Sequence, residues 1–139
     1  MKLRVETELR ATESREKVEA AVKNIFPKLA LELTGQKLVG ESNDIAALSR
    51  LHQLLRQQAI LDTARSIMLA NRKGDTTNFM LNKQVAFAGK ISFTDGESPL
   101  GPIIVTIEAP DIERLIDYLA PRTREGRPIM ELKSEDIQG

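Results

Sequence analysis

The 139-residue chain contains no cysteine and no tryptophan, one histidine, one tyrosine and four phenylalanines. Without cysteine there are no disulfides and no thiolate metal sites, which makes a reducing cytoplasm the expected compartment. With His52 as the one imidazole, most of the usual nucleophile–base pairs cannot be built and a zinc site lacks ligands. His52 itself lies inside an apolar helical pattern and reads as a packing residue. No catalytic residue, metal or cofactor is therefore expected, and the chain reads as a non-enzyme. Apolar runs reach about four residues, against the roughly 20 that a membrane-spanning helix needs, so no membrane association is expected. The N-terminus alternates charge from Lys2 and shows no signal-peptide pattern. The scarcity of aromatics argues against a platform on which bases stack. Phe87 and Phe93 fall on the same side of an alternating stretch as Val85 and Ile91 and read as core.

What the chain does have is charge, 29% of its residues, summing to zero. The balance is uneven along the sequence. From Arg50 to Lys90, the cations Arg50, Arg56, Arg65, Arg72, Lys73, Lys83 and Lys90 meet only Asp62 and Asp75, which leaves +5 there and −5 in the remainder. A local basic field attracts phosphates whatever the total charge. The pattern predicts that these cations share one water-facing surface and neutralise RNA phosphates, while Gln58, Asn82 and Gln84 add hydrogen bonds through their amides. Without stacking platforms, the expected mode is recognition of the shape and backbone of a structured RNA. A rival reading is a basic pocket closed around Arg56 and Arg65 that holds a small anionic ligand, in a module that regulates or assists a protein partner.

Smaller motifs are weighed in the same way. Asp62 and Arg65 stand three apart on a helix and can pair, either to fix a bend or to aim the arginine at a phosphate. Gly89-Lys90 is not a phosphate-binding loop, because Gln84 stands where that motif needs glycine. Asp95 and Glu97 read as a solvated turn.

Periodicity supplies the elements. Residues 2–10 alternate, with Leu3, Val5, Thr7 and Leu9 on one side, which predicts a strand with one wet face. Thr12 is placed to cap a helix carrying the stripe Val18, Ala21, Val22 and Ile25, stopped at Phe26-Pro27. Leu29, Leu31 and Leu33 predict a second strand, and Lys37–Glu41 a third after the Thr34-Gly35 turn. A long helical stretch runs from the Ser42-Asn43-Asp44 caps to Asn71, with a bend or break near Arg56–Gln58. Val85 to Phe93 reads as a strand, Ser98 to Pro102 as a turn, and Ile103–Glu108 as a return strand. Pro110 suits the first position of a helix bearing Ile112, Leu115, Ile116 and Leu119, closed by Pro121. The order β-α-β-β-α(α)-β-β-α predicts a two-layer α+β fold: a largely antiparallel sheet with helices packed on one face. The expected domain is 1–121, with a partly mobile tail over 122–139.

Two blocks carry a resemblance. Leu55, Arg56, Gln58, Ile60, Leu61, Asp62, Ala64 and Arg65 form an RxQxILDxAR segment. Phe79, Leu81, Asn82, Lys83, Gln84, Ala86, Gly89 and Lys90 surround an LNKQxAxxGK segment, followed by Leu100-Gly101 and the Ile103-Val105-Ile107 strand. In these residues the chain resembles an archaeal family of small, uncharacterised RNA-binding proteins over about residues 1–120. The resemblance implies a fold similar to the ribosomal protein that binds 5S rRNA, an RNA-binding role and a homodimer. The family also includes versions joined to a P-loop nucleotide-kinase-like domain, which implies a nucleotide-kinase-like protein as a possible partner.

Overall fold

The structure, a computed structural model, describes residues 1–97 and 99–137. Its strands are β1 (Lys2–Glu8), β2 (Glu32–Thr34), β3 (Lys37–Ser42), β4 (Thr76–Asn82), β5 (Pro102–Glu108) and a two-stranded ribbon of β6 (Thr123–Arg124) and β7 (Arg127–Pro128). Its helices are α1 (Arg15–Ile25), α2 (Ser49–Gln57), α3 (Leu61–Ala70), α4 (Lys83–Phe87) and α5 (Ile112–Leu119). The first five strands form one antiparallel sheet in the order β2-β3-β1-β5-β4. Register places Phe79, Val105, Val5 and Gly40 in one cross-strand row. That face of the sheet is buried beneath the helices. The other carries Arg4, Glu6, Asn78, Met80, Ile104 and Thr106, each half-buried or exposed. The two-layer α+β reading is the observed architecture.

Most elements follow their sequence pattern. Val18, Ala21, Val22 and Ile25 are the buried residues of α1. Its cap is Ser14 rather than Thr12: the Ser14 hydroxyl accepts from the Lys17 amide at 3.4 Å. The helical stretch after Asp44 breaks where the apolar stripe shifts, between Gln57 and Leu61, and Ala59 takes a left-handed φ of 55° there. Asp111 caps α5, so Pro110 precedes the cap rather than opening the helix.

Three expectations are corrected. The second strand does not begin at Leu29. Residues 29–31 lie over Gly40, where an added Cβ would stand 2.8 Å from a Leu31 methyl and 3.1 Å from the Ala30 carbonyl oxygen, and pairing starts at Glu32. The strand expected over Val85–Phe93 is displaced toward the N-terminus. Thr77, Phe79 and Leu81 are the buried alternating set of β4, the chain then turns helical, and only Phe93 bridges back, to Leu81. The Asn82 amide donates to Ser92 O and the Thr94 amide to Met80 O, so residues 92–94 cover part of the β4 edge. Phe87 is consequently not core but 49% exposed.

The turn expected from Ser98 begins outside the described residues; Pro99 and Leu100 are in turn conformation. Beyond α5, the β6–β7 ribbon is followed by Leu132 and Ile137, which pack against the core. The Asp136 carbonyl accepts from the Arg114 guanidinium at 3.0 Å.

Candidate nucleic-acid interface

The cations of the middle segment do not form one water-facing surface. Arg56, Arg65, Arg72 and Lys83 each bond a carboxylate from outside that segment: Glu131, Asp117, Glu113 and Glu13 respectively. Arg56 bonds Glu131 at 2.6 and 2.8 Å and also donates to the carbonyls of His52, Tyr118 and Leu119. Arg65 bonds Asp117 at 2.7 Å and the Ala120 carbonyl at 3.1 Å. The last turn of α5 has no basic residue of its own. These two guanidiniums supply the positive charge that its exposed carbonyls attract. Arg50 bonds Gln53 at 2.7 Å, and it, Lys73 and Lys90 have no carboxylate partner among the described residues.

The rest of the first block is equally engaged within the fold. The Gln58 amide donates to Ile91 O at 2.8 Å and accepts from the Ile91 amide at 2.7 Å, imitating a strand pair between the α2–α3 break and the segment after α4. Asp62 does not pair with Arg65; it accepts from the Thr123 hydroxyl at 2.6 Å, at the base of the β6–β7 ribbon. His52 stacks on Tyr118 with ring centroids 4.6 Å apart, and its Nε2 has no partner among the described residues. Burial, then the adjacent Arg56 charge, holds the imidazole below its ordinary pKa. The Arg56 hydrogen bond holds the Glu131 carboxyl below its own. An α5–tail latch is thus built from the RxQxILDxAR residues.

The second block is a strand-to-helix corner. Asn82 ends β4 and caps α4, its side-chain oxygen accepting from the Val85 amide at 2.9 Å. Lys83 is 4% exposed, and its ammonium donates to Glu8 O and Leu100 O at 2.8 Å each and to the Glu13 carboxylate at 3.2 Å. Its donors are used in joining β1, the segment just before α1 and the turn before β5. Gly89 closes the corner at φ 81°, a conformation that favours glycine. Gln84 and Lys90 remain exposed.

This corner forms one wall of a cleft of about 370 Å³ against α1, bordered by Lys17, Ser14, Gln84, Phe87 and Leu100, with Lys83 and Glu13 beneath. The Asn24 amide fixes the wall by donating to the carbonyls of Ala86 and Phe87 at 3.0 and 3.1 Å. The Lys83–Glu13 pair cancels, so Lys17 leaves the cleft a net positive charge. The sequence pattern pointed to Gln84 but missed Lys17 and Phe87. Arg50, Arg56, Arg65, Arg72 and Lys73 do not line the cleft. A second cavity, about 440 Å³, contains Arg65 and Arg122 opposite Glu113 and Asp117. Its charges balance and Arg56 is outside it, unlike the pocket that the small-anion reading requires.

Among the described residues no helix is long and apolar enough to cross a membrane. A family model described as RNA binding matches residues 2–109. A UPF0201 protein of Aeropyrum pernix is 46% identical over 94% of this chain and 92% of its own length. A UPF0200/UPF0201 protein of Archaeoglobus fulgidus is 41% identical over 95% of this chain, which spans only 41% of that longer relative. A crystal structure of a UPF0201 protein from Methanococcus jannaschii superposes with a TM-score of 0.83 at 33% identity, covering 94% of this chain and all of that one. Another uncharacterized UPF0201 protein superposes at 0.80 with 39% identity over 93% of this chain and all of its own. The chain belongs to this archaeal UPF0201 family.

Proposed function

We propose that the chain is a non-catalytic protein that binds structured RNA, ribosomal RNA among the candidates, on the side of the molecule where α1 meets α4. One observation carries the RNA-binding reading: the RNA-binding family model matches residues 2–109, a span that holds the α1–α4 cleft together with every other element before α5. Lys17 in the cleft wall, and Lys90 just after the α4 corner and outside the cleft lining, are exposed cations with no carboxylate partner among the described residues, free to meet phosphates.

Filter binding of an RNA hairpin at two salt concentrations tests the proposal. Affinity is expected to fall steeply with salt, because each neutralised phosphate contributes roughly 0.7–0.9 to the log–log slope. Replacing both Lys17 and Lys90 by Gln is expected to reduce that slope by about 1.5. Weak binding that does not change with salt contradicts the proposal.

The chain is also proposed to act as a cytoplasmic homodimer. The open sheet face, with Met80 and Ile104 among its half-buried residues, and the exposed edge strand β2 are the surfaces that favour pairing. A light-scattering mass equal to one chain contradicts this. A second reading, resting on the family resemblance alone, is an accessory module for a nucleotide-kinase-like partner. Thermal protection by nucleotide but not by RNA would support that reading instead.

A further inference from the structure

We propose that the α1–α4 cleft receives an unpaired nucleotide of the bound RNA, with its base stacked on Phe87, its edge read by Gln84 and its phosphate held by Lys17. This rests on the RNA-binding reading above and names the feature of the RNA that the site selects. Phe87 is an aromatic ring left 49% exposed at the end of a helix. The Asn24 bonds to the carbonyls of Ala86 and Phe87 hold its backbone in place, so the ring is presented on a fixed support. Gln84 is three residues earlier on the same helix and therefore on the same face, with an exposed amide that offers both donors and an acceptor to a base edge. Lys17 faces them across a gap of about 370 Å³. A flat apolar surface, an amide and a cation around one recess match the three parts of a nucleotide: base face, base edge and phosphate. A paired base cannot use this site, because its face is already stacked and its Watson–Crick edge is occupied.

The buried Lys83–Glu13 pair supports the arrangement without touching the ligand. By joining β1, the segment just before α1 and the turn at Leu100, it holds the floor of the cleft and contributes no net charge to it. The positive field of the recess then comes from Lys17 alone, which suits one phosphate.

The test compares a hairpin RNA carrying an unpaired loop with a blunt duplex of equal phosphate number, for the wild-type chain and for Phe87→Ala and Phe87→Tyr. Phe87→Ala is expected to weaken hairpin binding by about 10-fold, as loss of one base stack does, and to leave duplex binding unchanged. Phe87→Tyr is expected to retain hairpin binding. The ring is half exposed, so unchanged thermal melting of both variants is expected and confirms that the fold is intact. Hairpin binding by Phe87→Ala equal to wild type, or equal loss on hairpin and duplex, overturns the stacking site and leaves RNA binding standing. Failure of the wild-type chain to bind either RNA overturns both readings.

Discussion

Lys83 shows how a residue's sequence neighbours can mislead about its role. It stands between Asn82 and Gln84 with no acid between Asp75 and Asp95, which makes it look like a phosphate ligand. Its partner, Glu13, lies 70 residues away in sequence, and only folding brings the two together. The pair is nearly water-free, with side chains 4% and 8% exposed. Removing one member leaves the other charge buried, so Lys83→Met is expected to lower stability by about 3 kcal/mol in urea unfolding. Adding Glu13→Gln is expected to recover part of that loss, because the orphaned carboxylate is then neutral. Additive losses would contradict the account of the pair. The same reasoning explains Gln58 and Asp62. Gln58 reads as a ligand-contacting amide and Asp62 as a partner for Arg65, but their partners Ile91 and Thr123 sit on segments that no local pattern could assign to them.

At the scale of elements, the sequence was clear wherever a stripe or an alternation ran unbroken. The buried set of α1, the outer residues of β1 and the break between α2 and α3 all follow from periodicity. The break stores a test. Ala59 holds φ 55° on an exposed turn, where a Cβ costs about 1 kcal/mol relative to glycine. Ala59→Gly is expected to raise the unfolding free energy by up to that amount, and a loss of stability would contradict the assigned backbone. The displaced strand has a physical reason too. Val85 to Phe93 alternates, but Asn82 before it and Gly89 within it are the cap signals of a short helix. Those signals, read first, would have placed Phe87 on a helix and left its face open to solvent.

The tail latch adds a dependence on acid. Glu131 is held below its ordinary pKa in the fold, so its contribution is complete above the unfolded carboxylate value and is lost as pH falls through the folded one. His52 is also held below its ordinary value, so the fold prefers it neutral, and stability begins to fall below about pH 6.5. Both effects act in the same direction. Protection factors over 129–137, with the intrinsic slowing of exchange toward acid divided out, are therefore expected to fall as pH is lowered from 7 to 4, and to fall less in Glu131→Gln. An exchange rate that tracks the intrinsic chemistry alone would contradict the latch.

For the molecule as a whole, charge that is segregated along the sequence is not segregated in space. The basic middle and the acidic flanks are opposite halves of long-range ion pairs, Arg56–Glu131, Arg65–Asp117, Arg72–Glu113 and Lys83–Glu13. What the uneven charge encodes is largely how α5, the tail and α1 attach to the centre. The RNA-binding surface that we propose is instead the α1–α4 cleft, where Lys17, Gln84 and Phe87 converge from segments with no sequence signal in common. The most direct test of that assignment is ultraviolet crosslinking of a bound RNA hairpin to the intact chain, followed by mass-spectrometric mapping of the modified peptides. Crosslinks within residues 12–17 and 84–90 are the predicted result. Crosslinks confined to α3, α5 or the β6–β7 ribbon would contradict it.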